Sequence, residues 1–223
     1  MEFIWICLYG LTWQIAEKLT EAGITGQWVK PLAILLYTAA LLIWLHHSGR
    51  AGMIRLCWIR QSSARLWEIA LFLLLFPAYN LLLSVHLQKD PALIIVTGLA
   101  CLIEEIFFRG FLLQYLKRYG TRVCVLISSG LFALYHLGNL FAIQDIGYVL
   151  LQTVSAFSAG ICYAVSVILT GSLLPCVLSH ILTNLTAAPV TDAQTGLLWV
   201  CIGLSCFSYF YFLRKSSDHN HRG

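Results

Sequence analysis

Three short stretches of this chain hold residues able to perform acid–base chemistry. The first runs Leu102, Ile103, Glu104, Glu105, Ile106, Phe107, Phe108, Arg109, which puts two carboxylates and a guanidinium into otherwise apolar sequence. The second ends on a histidine, Phe132, Ala133, Leu134, Tyr135, His136, and the third runs His180, Ile181, Leu182, Thr183, Asn184. On a helix, residues four apart share a face, so Glu105 and Arg109 can pair across one turn. Glu104 then points about 100° away from that pair and is left for chemistry or for a partner on another helix. His180 and Asn184, again four apart, can offer two hydrogen-bond donors to one oxygen, which suits an oxyanion. A carboxylate, an imidazole and a His/Asn donor pair are the parts needed to activate water and stabilise the tetrahedral intermediate of amide hydrolysis.

The elements that must carry these residues are membrane spans. Of the 223 residues, 59% are hydrophobic and 11% charged, against about 25% charged in ordinary soluble domains. The apolar residues gather into runs close to the roughly 20 residues that cross the hydrocarbon layer as a helix. Pro, Gly and charged breaks divide them into eight spans, near 3–19, 30–46, 66–87, 91–116, 123–141, 146–169, 172–187 and 195–213. The first and seventh are short or interrupted, and the seventh reads as a tilted or broken helix beginning at Gly171, Ser172 and Pro175. The expected fold is an all-α polytopic transmembrane bundle, one membrane-embedded domain over 1–223 with a catalytic core at about 91–188. A charge at bilayer depth costs about 2.5 to 3.5 kcal/mol on insertion scales, so Glu104, Glu105 and Arg109 must face inward and be paired or functional.

Charge also sets orientation, because Lys and Arg near span ends stay on the cytoplasmic side. Arg50, Arg55, Arg60 and Arg65, then Lys117, Arg118 and Arg122, then Arg214, Lys215 and Arg222 fall in segments that share a side if there are eight spans. The alternate loops hold Lys18, Lys30 and Lys89 beside Glu17, Glu21, Asp90, Asp145 and Asp192. Both termini are therefore expected in the cytoplasm. The formal charge of +4 reports this topology rather than nucleic-acid binding, since the basic residues do not trace one face.

Several other readings compete. The eight cysteines show no CxxC and no His/Cys ligand spacing, and seven lie in apolar runs as small filler. His46, His47 and His86 sit at span ends, where interface placement accounts for them. Asn139 follows His136 by three and suits either a helix end or a backing role, while Tyr135, Asn80 and Ser172 are polar without a constellation. No GxSxG, HExxH or P-loop occurs. Glu104, His136 and His180 formally make the His₂Glu set of a catalytic zinc site, the metal-dependent alternative. A non-catalytic immunity or scaffold protein is a second class, although binding alone does not require Glu104, His136, His180 and Asn184 together. A proton-coupled transporter is a third, but the two halves lack paired Gly/Pro-broken repeats.

The three motifs in series on separate apolar spans resemble the CAAX protease and bacteriocin-processing family, also called the Abi family. The resemblance covers about 91–188. It implies an intramembrane glutamate peptidase in which Glu104 works with His136 to activate water, His180 and Asn184 form the oxyanion hole, and no cofactor or metal takes part. Glu105 and Arg109 support the site. The implied partners are the lipid bilayer and a membrane-associated peptide or protein substrate, and the short chain looks more like the bacterial type, in a cytoplasmic membrane. Topology reporters fused at Gly26, Lys89 and Asp192 are expected to signal the external side; a cytoplasmic signal at Lys89 would break the eight-span scheme.

Overall fold

The computed structural model describes residues 2–26, 28–54, 90–141 and 145–186, with 73, 74, 76–78, 80, 199, 202 and 203. Every regular element among the described residues is helical. They are α1 (Glu2–Glu21), α2 (Val29–His47), a 3₁₀ turn (Ala51–Met53), α3 (Pro91–Glu105), a π-helix (Ile106–Leu112), α4 (Leu113–Leu116) and a 3₁₀ turn (Lys117–Tyr119). There follow α5 (Thr121–His136), a 3₁₀ turn (Leu137–Phe141), α6 (Ile146–Thr170) and α7 (Leu174–Thr186).

Start and stop chemistry explains where these helices fall. Pro91 occupies the first turn of α3, where its missing N–H is no loss, and the Asp90 carboxylate accepts from Ala92 N. Asp145 caps α6 in the same way, accepting from Tyr148 N. The chain reverses at Gly120 (φ 91°) and at Gly171 (φ 68°), left-handed positions that glycine occupies without a Cβ penalty.

Among the described residues, four segments are long and apolar enough to cross a membrane: Val29–His47, Pro91–Tyr119, Thr121–Leu140 and Ile146–Thr170. They match the spans expected at 30–46, 91–116, 123–141 and 146–169. The first expected span forms α1 but carries Glu17 and Lys18 and does not reach the same apolarity. The seventh forms α7 with only 13 residues, about 20 Å at 1.5 Å per residue. Of the remaining two, 66–87 lies largely outside the described residues and 195–213 almost wholly so.

The helices run in both directions along the bundle, α1 opposite to α2, which gives it two distinct ends. Glu2, at the start of α1, pairs with Arg50, just beyond α2, at 2.6 Å. Met53, Gln114, Lys117 and Gly171 gather at that same end. At the other end Glu17 pairs with Lys30 at 2.6 Å, and α3 and α6 begin there at Asp90 and Asp145. Side-chain polarity is inverted relative to a soluble protein. Leu32, Leu35, Leu36, Leu42 and Ile43 of α2 are exposed to the lipid side, while Glu105, Arg109, Ser128, Ser129 and Ser158 are buried.

In lipid, helices associate through close packing rather than apolar burial, so small residues mark the tightest contacts. Gly160 of α6 is one. A Cβ there would lie 3.0 Å from Arg109 Nη2 and 3.1 Å from Ser129 Cβ, against α5. Gly160→Ala is therefore expected to push α5 and α6 apart or displace the guanidinium, with a loss of about 1 to 3 kcal/mol. A melting temperature in detergent equal to wild type would show that the interface has slack.

Candidate active site

The site begins with a carboxylate that has no access to solvent. Glu105, last residue of α3, is 0% exposed, and so is Arg109 in the π-helix that follows. Glu105 Oε1 accepts from Arg109 Nη1 at 3.3 Å, so the pairing expected from four-residue spacing is present. It sits across a π-turn rather than an α-turn, a local widening that recurs at functional sites. The same Oε1 accepts from His180 Nδ1 at 3.0 Å. Because Oε1 is an acceptor for the guanidinium, Nδ1 carries the proton in this contact.

Aromatic faces enclose what the carboxylate leaves uncovered. The Arg109 guanidinium carbon stands 4.2 Å from the Phe132 ring centroid, with Tyr163 at 5.5 Å and Phe108 at 5.9 Å. A cation desolvated against ring faces gains about 2 kcal/mol or more, which offsets part of its removal from water. Phe132 also meets His180 edge-on at 5.6 Å, and Tyr163 lies over His180 at 5.3 Å. His180 is thus fixed on three sides, and its Nε2 faces Glu104 Oε2 at 3.9 Å, longer than a hydrogen bond.

Glu104 is turned the other way, into a cleft of about 470 Å³. His136 and Asn184 line the same cleft, as do Tyr9, Trp13 and Tyr135. His136 Nδ1 donates to the Phe132 carbonyl at 2.9 Å. That bond fixes the ring, and in the neutral tautomer leaves Nε2 as a proton acceptor. Asn184 Nδ2 donates to Cys101 Sγ at 3.4 Å. The structure therefore brings Glu104, His136 and Asn184 to one wall system. His180 lies behind it, between the two carboxylates, rather than among the cleft-lining residues.

Glu104, His136 and His180 do not gather as a metal-ligand set, and among the described residues no three His, Cys, Asp or Glu do. Other polar groups escape sequence reasoning. Asn139 Nδ2 donates to Gln152 Oε1 at 2.8 Å, and both line the cleft. Gln152, a lone amide in an apolar helix, was the readable signal. Asn80 Nδ2 donates to the Thr183 carbonyl at 2.8 Å, tying α7 to the segment before α3. Cys101, read as filler, contacts Asn184 directly.

Losing one member of a buried ion pair typically costs about 3 to 5 kcal/mol, because the other charge is left uncompensated. Arg109→Gln is accordingly expected to lower the melting temperature sharply. Adding Glu105→Gln to it should cost less than the sum of the two single changes. Strict additivity would mean that the two side chains are not coupled.

A family model described as type II CAAX prenyl endopeptidase, Rce1-like, matches residues 86–186. No curated protein and no solved structure matches the chain. The matched segment contains all three motifs and the whole of α3, α5, α6 and α7. Residues 86–186 are thus similar to the Rce1-like CAAX endopeptidase family, the family that the three motifs resemble.

Proposed function

We propose that this protein is an intramembrane endopeptidase that hydrolyses a peptide bond of a membrane-associated peptide or protein. The observation that carries the proposal is the meeting of Glu104, His136 and Asn184 in one cleft within an otherwise apolar bundle. A water held between the Glu104 carboxylate and His136 Nε2 loses its proton to Glu104 as its oxygen attacks the scissile carbonyl. Asn184 Nδ2 donates to the oxyanion that forms. His180, one turn earlier on α7, lies behind the Glu104 carboxylate toward which its Nε2 points, and serves as the second donor only as an imidazolium whose Nε2–H turns from Glu104 to the oxyanion. Collapse of the intermediate returns the proton to the leaving amine, so that water is consumed and two peptide ends result.

The aromatic walls formed by Tyr9, Trp13 and Tyr135 suit an apolar substrate segment. The matching family is named for prenylated CAAX substrates, and a lipid-modified or membrane-inserted peptide fits such walls. The surrounding architecture is proposed as eight spans in a bacterial cytoplasmic membrane with both termini cytoplasmic, on the strength of the alternating Lys and Arg distribution.

Purified protein incubated with membrane peptides co-expressed in the same host should yield defined cleavage products by mass spectrometry. His136→Ala should abolish them. Asn184→Ala should retain turnover reduced about 10²- to 10³-fold, the worth of one oxyanion donor. A strong chelator should leave cleavage unchanged; loss on chelation and recovery with zinc would replace this mechanism with a metal-dependent one.

A further inference from the structure

Inside the cleft stands a pair of amides that hydrolysis does not use. Asn139 Nδ2 donates to Gln152 Oε1 at 2.8 Å, and both residues line the cleft with Glu104, His136 and Asn184. They come from different elements, Asn139 from the 3₁₀ turn after α5 and Gln152 from α6. Gln152 follows the first residue of α6 by six positions, about 9 Å at 1.5 Å per residue, and so stands within an apolar span.

Each amide carries one oxygen and one NH₂ group, and the contact uses the oxygen of one and the NH₂ of the other. Among the described residues, Asn139 Oδ1 and Gln152 Nε2 make no hydrogen bond. Turning both amides over leaves the same inventory, one idle acceptor and one idle donor. A contact that served only to join α6 to the turn would leave both unused in a wall shared with Tyr9, Trp13 and Tyr135. Once an apolar segment fills the cleft and displaces water, such groups are unfavourable unless the segment itself satisfies them.

A peptide segment has what they lack. To bring a bond to Glu104 it must leave its own helix, and the N–H and C=O groups released inside an apolar bundle must find partners in the protein. In an extended chain the N–H and C=O of one residue point to the same side, so one residue can meet an acceptor and a donor on one wall. From His136 to Asn139 the 3₁₀ turn rises about 6 Å at about 2 Å per residue. An extended chain advances about 3.3 to 3.6 Å per residue, which places the residue so met one or two positions from the bond beside His136.

We infer that Asn139 and Gln152 form a main-chain clamp, holding the substrate extended by the backbone N–H and C=O of a residue one or two positions from the scissile bond. The clamp deepens the peptidase function proposed above and rests on it. Gripping the backbone selects for extension rather than for a side chain, so discrimination among side chains falls to the aromatic walls.

The test uses the full-length protein in detergent and the membrane peptide identified by mass spectrometry as cleaved, synthesised as a series in which one backbone N–H at a time is replaced by an ester oxygen. The ester at the clamped residue should lower kcat/KM about 3- to 10-fold in the wild type, the worth of one hydrogen bond. In Asn139→Leu, and independently in Gln152→Met, the same ester should change kcat/KM by less than about 2-fold, because the partner it deprives is already gone. A merely structural pair would lower the melting temperature in these variants without altering the ester penalty. Equal penalties in wild type and both variants, or none near the cleaved bond, would overturn the clamp and leave the peptidase standing. If the protein cleaves no membrane peptide, the peptidase reading falls and the clamp falls with it.

Discussion

One buried carboxylate organises the middle of this molecule. Glu105 has no solvent, so the cost of its charge must be met by donors that the fold brings to it. Arg109 comes from the next turn of the same span, and His180 from 75 positions further along the chain. The second contact makes the carboxylate an anchor for α7, a helix too short to be held by membrane insertion alone. The ring stack of Phe132, His180 and Tyr163 packs around that anchor, and Gly160 lets α6 approach the guanidinium closely enough to complete it. Removing Glu105 would therefore loosen three helices at one point.

Division of labour between adjacent carboxylates follows from this constraint. Helical rotation points Glu104 away from the Glu105 pair, and the side chain that results faces a cleft rather than a counter-ion. His180 stands between the two, held by one and directed at the other, so the position of α7 is registered against the reactive carboxylate. Asn184, one turn on, inherits its placement from the same contact. The network fixes geometry, and the chemistry proposed for Glu104, His136 and Asn184 depends on that fixity because misplacement by about 1 Å can cost 10²-fold in rate.

Local rules made part of this legible. The Glu105 to Arg109 contact follows from four-residue spacing, and four of the expected spans follow from apolar runs between breaks. The seventh span was suspect because of Gly171, Ser172 and Pro175, and α7 does begin only at Leu174. What periodicity could not reveal was long-range or irregular. A π-turn carrying Arg109 has no propensity signature, since Phe107 and Phe108 would pack inward on either helix. Cysteines read uniformly as filler divide by neighbour: Cys124 is a core residue, whereas Cys101 touches Asn184. The four-residue spacing of His180 and Asn184 did not foresee that the histidine's Nδ1 is already committed to Glu105.

The central claim is that two neighbouring glutamates do different work, one reactive and one architectural. The most direct measurement compares Glu104→Gln and Glu105→Gln in detergent, recording melting temperature and cleavage of the same membrane peptide for each. The account predicts that Glu104→Gln melts like wild type and cleaves nothing, while Glu105→Gln melts markedly lower and loses activity with its stability. Cleavage at the wild-type rate by Glu104→Gln, or wild-type melting of Glu105→Gln, would contradict it.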